Sequence, residues 1–241
     1  AMKTTLVLLS LGLSATIKTA SAACIKRVGE VVKKSLTVDA FHGISLEGSM
    51  NVVLTQGATQ SVEVEAQANL IELIETKVVK GVWEITTKDG YSTDKTFTLY
   101  ITVPMIDQVA VDGSGDVISN GTFTSDAMEL AVAGSGNITI AFNSKTARAD
   151  IAGSGDMVLS GTADKLNVNV AGSGDVDARE LKVADATVDI AGSGDVILDA
   201  SQSLEASIAG SGDVSYKGAP ARISRNVMGS GDVRSLERGP R

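Results

Sequence analysis

The second half of the chain alternates apolar and polar residues in short runs that recur at a nearly constant distance. Leu166, Val168 and Val170 form one run, and Val196 and Leu198 belong to another. A period of two is typical of β-strands that bury one face, whereas helices repeat their apolar positions every three or four residues. The runs therefore predict strands, and their recurrence predicts a repeated structural unit.

The runs flank seven copies of the sequence G-S-G-D or G-S-G-N, which we call the corners. The copies begin at Gly113, Gly134, Gly153, Gly172, Gly192, Gly210 and Gly229, at steps of 21, 19, 19, 20, 18 and 19 residues. A period near 20 is typical of solenoids, in which one repeat buries its apolar face only by stacking on its neighbours. We therefore predict an all-β fold, a parallel β-solenoid (β-helix) with coils of about 19–20 residues over residues 113–235.

Each coil is predicted to contain a strand, a corner, a second strand and a second, polar turn. Residues 143–147 and 160–164 are examples of the predicted polar turns. The coils should pair in parallel, about 4.8 Å apart. Such a stack places all the corners in one column along the solenoid.

The corner residues fit this geometry. Glycine allows positive φ and leaves room for the neighbouring backbone. The acidic residue or asparagine can accept a hydrogen bond from a backbone N–H two residues on, in an Asx turn. Such a bond, at about 1.5–3 kcal/mol for a charged acceptor, outweighs a repulsion of about 1 kcal/mol between stacked carboxylates. The predicted structural turn column comprises Gly113, Asp116, Asn137, Asp156, Asp175, Asp195, Asp213 and Asp232.

The front half has no clean repeat, although residues 48–51 (G-S-M-N) stand where a corner would be. We predict that residues 36–112 form a first coil, over 36–56, with an inserted β-segment or β-meander. Residues 69–79 fit either a helix or a loop and a strand. The regular solenoid then follows over 113–235.

The N-terminus has the features of a signal peptide over residues 1–22. Lys3 precedes a short apolar run, and Ala20 and Ala22 suit a cleavage site. The run is too short to span a bilayer stably. We expect export to the periplasm, the outer surface or the medium, with residues 23–35 as a linker and 236–241 as a tail. Cys24, the only cysteine, is either a free thiol or, in the alternative, a lipid anchor.

The charge and the aromatic content of the chain limit the classes of partner that it is expected to bind. A net charge of −8 opposes binding to nucleic acid, which requires a basic face. Sugar binding usually needs exposed rings, and aromatic residues make up only 3% of the chain. Trp83 alternates with Ile85 and is predicted to lie in the core, whereas Tyr91, in a polar turn, is the candidate for ligand contact.

No constellation of catalytic residues stands out. General acid–base chemistry needs two carboxylates in unlike environments, but the corner aspartates share one local context. The single histidine, His42, has no second histidine or cysteine near it and is predicted to be a surface residue. We assign no catalytic, cofactor or metal residue. Ca²⁺ along the aspartate column is the alternative to a purely structural role.

Three segments carry a resemblance to a known family. They are ISLEGSMNVVLTQG (44–57), SVEVEAQANL (61–70) and YITVPMIDQVAVDGSGDV (100–117), followed by the corner series. Together they resemble the head GIN domain family, also called putative auto-transporter adhesins, over about residues 36–235. The resemblance implies a β-solenoid on secreted or envelope proteins of bacteria and implies little about chemistry. The chain departs from the repeat at Met50 and Asn137.

Two classes of function follow from these observations. The first is a non-enzymatic extracellular or cell-envelope module for adhesion or scaffolding, which binds a surface glycan or a protein. The alternative is a carbohydrate-binding or carbohydrate-active β-helix protein. Homo-oligomers are left open, because the ends of a solenoid expose unpaired strands unless they are capped. The charged segment 234–241, with Pro240, is the predicted cap of one end.

Overall fold

The computed structural model describes residues 29–93, 95 and 97–236 and is almost entirely β-structure. Its 17 strands form one sheet. The strands are β1 (Val31–Leu36), β2 (Gly43–Gly48), β3 (Asn51–Gln56), β4 (Ser61–Gln67), β5 (Val78–Val79), β6 (Val82–Ile85), β7 (Thr98–Val103), β8 (Gln108–Gly113), β9 (Asp116–Thr124), β10 (Ala127–Gly134), β11 (Asn137–Gly153), β12 (Met157–Gly172), β13 (Val176–Gly192), β14 (Val196–Gly210), β15 (Val214–Lys217), β16 (Arg222–Gly229) and β17 (Val233–Ser235), with one short helix, α1 (Ala68–Ile71). The predicted signal peptide, Cys24 and residues 237–241 lie outside the described residues.

Parallel pairing stacks the repeats into a solenoid with two strand faces. The first strand face holds the strands that precede the corners: β2, β8, β10, the second halves of β11 to β14, and β16. The second strand face holds those that follow: β3, β9, the first halves of β11 to β14, β15 and β17. The register pairs Gly113 with Gly134 and continues coil by coil to Gly229. The predicted parallel β-solenoid is confirmed.

The core consists of apolar rows that run along the solenoid. Five residues at one position of the first strand face are paired in register and at most 3% exposed: Val132, Ile151, Val170, Ile190 and Ile208. Burying one such side chain stabilises the fold by about 1.5–3 kcal/mol. Trp83 is fully buried, as predicted, and its indole N–H donates to the Glu75 carbonyl at 3.0 Å.

The second bend of the coil differs from the prediction. The sequence predicts polar turns at 143–147 and 160–164, but β11 and β12 run unbroken through these segments. Asn143 lies opposite Thr162 there, and Ser144 lies opposite Ala163. Because neighbouring coils satisfy the backbone hydrogen bonds on both sides, the chain can bend without leaving the ladder.

The front half closes the N-terminal end of the solenoid. β6 and β7 stack on one side of β2 and β3, while β8 and β9 stack on the other side. Beyond β7, the strands β4 and β1 continue the sheet in antiparallel order, and β5 pairs antiparallel with β6. The coil formed by β2 and β3 is therefore an inner layer. Within the described part of the chain, no helix is long and apolar enough to cross a membrane.

Two segments of the front half refine the sequence interpretation. The linker predicted over 23–35 is wrong for residues 31–35, which belong to β1. These five residues are exposed and show no alternation, because β1 buries neither of its faces. The segment 69–79 combines both predicted forms, since it contains the end of α1 and all of β5.

Candidate functional site

Each corner contains two glycines that meet the neighbouring coil for different reasons. Gly172, the first glycine of its corner, has φ +139°, and a Cβ there would overlap the carbonyl oxygen of Gly153. Gly174, the second, does not have positive φ, but a Cβ there would overlap the carbonyl oxygen of Gly155. The Gly153 carbonyl also accepts a hydrogen bond from the Ser173 N–H at 2.8 Å. The corner backbones are therefore in direct contact from coil to coil.

The acidic side chains of the corners bind the next coil and do not close their own turn. Asp156 Oδ1 accepts a hydrogen bond from the Asp175 N–H at 2.9 Å, and Asp175 Oδ1 accepts one from the Asp195 N–H at 2.7 Å. The same bond links every consecutive pair of corners from 116 to 232, at 2.7–3.2 Å. The predicted Asx turn is wrong, because the N–H of the neighbouring coil lies within reach of the same oxygen.

The two ends of this side-chain ladder support the conclusion that the corner side chains bind the neighbouring coil. At its start, Asn51 Oδ1 accepts from the Asp116 N–H at 3.2 Å, so residues 48–51 act as a corner. At its end, Asp232 accepts from the N–H of its own neighbour, Val233, at 2.8 Å. A local bond therefore forms at the last described corner. Asn137 also donates through Nδ2 to Asp116 Oδ1 at 2.8 Å, which interrupts the row of negative charges.

Met50 shows what the second glycine position requires. It stands where the other corners have glycine, yet its side chain is fully buried. The Asn51 N–H donates to the Phe97 carbonyl on the outer side, so a less regular segment replaces a stacked corner there. Because no glycine backbone lies beneath this position, a large side chain fits.

The carboxylates are regularly spaced but do not converge on one point. Among the described residues, no group of three or more His, Cys, Asp or Glu side chains is arranged to hold a metal ion. One oxygen of each corner carboxylate is already an acceptor for a backbone N–H. Ca²⁺ binding along the column stays a prediction to be tested.

The aromatic residues of the front half are engaged in packing. Tyr91 packs on Phe97, with ring centroids 5.0 Å apart, and its hydroxyl lies 3.0 Å from Ser49 Oγ. Tyr100 lies under Lys33 Nζ, 4.3 Å from its ring centroid. The Tyr100 hydroxyl donates to Glu65, and this hydrogen bond, with burial, raises the pKa of Tyr100. Tyr91 thus contacts the corner formed by residues 48–51. Ligand contact through its ring stays a prediction.

His42 is a half-exposed residue next to the start of β2. Its Nδ1 lies 2.7 Å from Asp107 Oδ1, and its backbone N–H donates to the Gly81 carbonyl at 2.9 Å. These contacts join the loop before β6 to the segment before β8. The arrangement has a structural role in holding the layers of the front half together.

The first strand face contains a groove that the alternation alone did not reveal. A row of small outward-facing side chains runs beside the corners, one per coil, and its members are Ala133, Ala152, Ala171, Ala191 and Ala209, followed by Met228. We call this row the alanine stripe. A polar row lies two positions before it, and its members are Asp150, Asn169, Asp189, Ser207 and Asn226. The two rows line a groove of about 560 Å³.

The signal for the groove was present in the sequence. Five corners are preceded by alanine, as in VAGSG and IAGSG, while Asp112 and Met228 hold this position in the first and last copies. The stripe is therefore limited to the middle coils. Small side chains between larger rows leave an elongated depression that is mostly apolar.

Comparisons with known proteins agree with this architecture. Two solved structures are similar: a putative adhesin from Bacteroides fragilis NCTC 9343 (22% identity, TM-score 0.77, covering 86% of this chain and 97% of that chain) and a putative lipid binding protein from Parabacteroides distasonis ATCC 8503 (26% identity, TM-score 0.71, covering 87% and 98%). A putative adhesin from Parabacteroides merdae ATCC 43184 is also similar (20% identity, TM-score 0.71, covering 87% and 97%). No protein in the curated set matches the chain.

The family comparison covers most of the solenoid and the front half. Residues 40–220 match the family described as "Putative auto-transporter adhesin, head GIN domain". The matched range includes the strands from β2 to β15, the corner at residues 48–51 and six of the seven repeat corners. The chain therefore belongs to the head GIN domain family of putative auto-transporter adhesins.

Proposed function

We propose that the protein is a non-enzymatic, exported adhesion module that binds a protein partner along the groove of its first strand face. The observation that carries the proposal is the alanine stripe, which continues over five consecutive coils. Small outward side chains allow a partner to approach the sheet closely, and the polar row beside them offers hydrogen bonds. The family and the adhesin names of its structural neighbours support an adhesion role.

A protein partner is favoured over a glycan by the lining of the groove. Sugar rings are usually held by exposed aromatic side chains, whereas the exposed side chains here are the alanines of the stripe and the polar row, and no aromatic residue lines the groove. An apolar ligand such as an acyl chain is the second candidate, because the lining is mostly apolar and one neighbour is named a putative lipid binding protein.

The test places the same bulky charge in the groove and on the opposite face. Ala171→Arg fills the middle of the stripe, and Val158→Arg is the control, because Val158 is 45% exposed on the second strand face. Binding of the two variants is compared with that of the wild-type protein by surface plasmon resonance against a panel of extracellular-matrix proteins, and on a glycan array. We expect at least one protein on the panel to bind, with Ala171→Arg weakening the binding about tenfold or more and Val158→Arg leaving it unchanged.

Three other results would overturn the proposal. Binding confined to the glycan array would favour the carbohydrate alternative, and turnover in a hydrolase and lyase screen would favour an enzyme. Binding only to phosphatidylcholine vesicles, lost in Ala171→Arg, would favour the lipid ligand.

A further inference from the structure

The last strands of the described solenoid, β16 and β17, have a pairing partner on one side only. Among the described residues, β16 pairs only with β14, and β17 pairs only with β15. Ile223 and Val227 continue the inward rows of Leu204 and Ile208 but are 40% and 39% exposed, because no further coil of the described residues covers them. The edge therefore offers unpaired backbone groups beside two apolar side chains.

An arginine lies between these two apolar side chains. Arg225 occupies the inward position of Ala206 in the coil below, and its guanidinium donates to the Tyr216 hydroxyl at 3.1 Å. Within the described part of the chain, no carboxylate lies within 4 Å of it as an ion-pair partner. A guanidinium has five N–H donors, and among the described residues the Tyr216 hydroxyl accepts from one of those of Arg225.

The charge of this end is opposite to that of the whole protein. Residues 218–236 carry Arg222, Arg225 and Arg234 against one acid, Asp232, whereas the full chain has a net charge of −8. Arg234 is paired with Asp213 at 3.3 Å. Asp213 and Asp232 offset two of these three charges, and Arg225 is the charge that lies on the inward row of the edge, where it complements an acidic residue of a partner.

A second copy of the chain does not supply that acidic strand. The exposed edge at the N-terminal end, β1, has the sequence VVKKSL and carries two lysines. A two-fold pairing of two β16 strands would bring the arginines of both copies together. Like charges therefore oppose both arrangements.

We propose that the C-terminal edge binds an extended acidic segment of a partner protein by β-strand addition to β16. The backbone of the partner pairs in parallel with β16, as β14 does on the other side. One carboxylate of the partner faces Arg225, and apolar side chains on either side of it cover Ile223 and Val227. Backbone pairing supplies affinity in this mode, and the alternate side chains supply specificity.

The chain provides the design of a probe. In the native ladder Leu204 lies opposite Ile223, Ala206 opposite Arg225 and Ile208 opposite Val227. A fluorescein-labelled peptide with the sequence of residues 203–210, carrying the change Ala206→Glu, presents a carboxylate to Arg225 in the same register. The peptide with Ala206→Lys is its control, and binding to the full chain is followed by fluorescence anisotropy.

We expect the glutamate peptide to bind at least about tenfold more tightly than the lysine peptide. Arg225→Glu should reverse this preference. Arg222→Glu makes the same charge change on the outward row of the same strand and should leave the preference largely intact. If Arg225→Glu lowers the melting temperature, Arg225→Gln, which retains a donor near Tyr216, should abolish the preference without reversing it.

Backbone pairing is tested separately from charge attraction. A glutamate peptide with N-methyl groups on alternate residues keeps its charge but loses the donors along one edge, so its binding should be strongly reduced. Equal binding of the methylated peptide would overturn strand addition. Equal binding of the glutamate and lysine peptides would overturn the role of Arg225, and so would a preference that survives Arg225→Gln. If the wild-type protein sediments as a dimer and binds neither peptide, the edge is used for self-association.

Discussion

The two glycines of each corner are needed for different reasons, although the sequence repeats them as one motif. The first combines positive φ with contact to the coil below, and the second has only the contact. Gly121 is a third case, with φ +96° and no atom within 4 Å of a Cβ built on it. The chain therefore contains natural examples of strain alone, contact alone and both together.

Three glycine-to-alanine variants separate these contributions. Gly121→Ala should destabilise the protein by about 1–2 kcal/mol through backbone strain. Gly174→Ala should cost about 1–3 kcal/mol, because the new Cβ must displace the Gly155 backbone. Gly172→Ala combines both effects and should cost more than either. Urea unfolding measures the three free energies, and a Gly172→Ala value below that of Gly121→Ala would contradict the assignment.

The aspartate ladder predicts different outcomes for two replacements of Asp175. Asp175→Asn keeps an acceptor for the Asp195 N–H and removes a like charge, so stability should change little. Asp175→Ala leaves that N–H without its partner and should cost about 1 kcal/mol. Chemical denaturation of the pair decides the point. Equal losses for the two variants would mean that charge, and not the hydrogen bond, determines the contribution of this side chain.

Alternation and spacing predict the strands, the parallel stack and the corners, because each of them is a repeated pattern. The inter-coil bond of Asp175 could not be read from one copy, since its donor lies 20 residues further along the chain. The continuous bends of β11 and β12 were missed for a related reason: polar side chains look alike in a turn and on the outside of a bent strand. The alanines of the stripe can be identified in the sequence, but only the stacked structure shows that they form one continuous row.

Proline distinguishes a bent strand from a true loop. Thr162 lies within β12 and is paired with both Asn143 and Lys182, so Thr162→Pro should cost about 2–4 kcal/mol through a lost ladder bond and steric conflict. Ala219→Pro is the matched control, because it lies next to Pro220 between β15 and β16. It should be nearly neutral in thermal melts, and a tolerated Thr162→Pro would show that the bend is not part of the ladder.

The whole molecule is a stack with unlike ends and a groove along one face. At the N-terminal end the antiparallel strands β4 and β1 extend the stack, while at the other end β16 pairs only with β14 among the described residues. The groove and the edge meet at β16, because Asn226 and Met228 of this strand line the last part of the groove.

Removal of divalent ions tests whether the column of corner carboxylates binds Ca²⁺. Because one oxygen of each corner carboxylate is occupied by the ladder, we expect a chelator to leave the melting temperature unchanged and added Ca²⁺ to have no effect. Scanning calorimetry with both additives provides the measurement, with Asp175→Asn as the control. A Ca²⁺-dependent rise of several degrees that is weakened in this variant would replace the structural account with a metal-binding one.

The position of β2 and β3 inside the stack has a consequence for how quickly the chain folds. Later corners are joined to their neighbours through about 19 residues, but Gly48 and Gly113 are separated by 65. Closing the longer loop costs about 1 kcal/mol more in chain entropy, which corresponds to roughly a fivefold slower step. The layer of β2 and β3 therefore serves as a template that grows in two directions. We therefore expect the docking of β8 on β2 to be slower than the pairing of the later coils, which are joined by short and nearly equal loops.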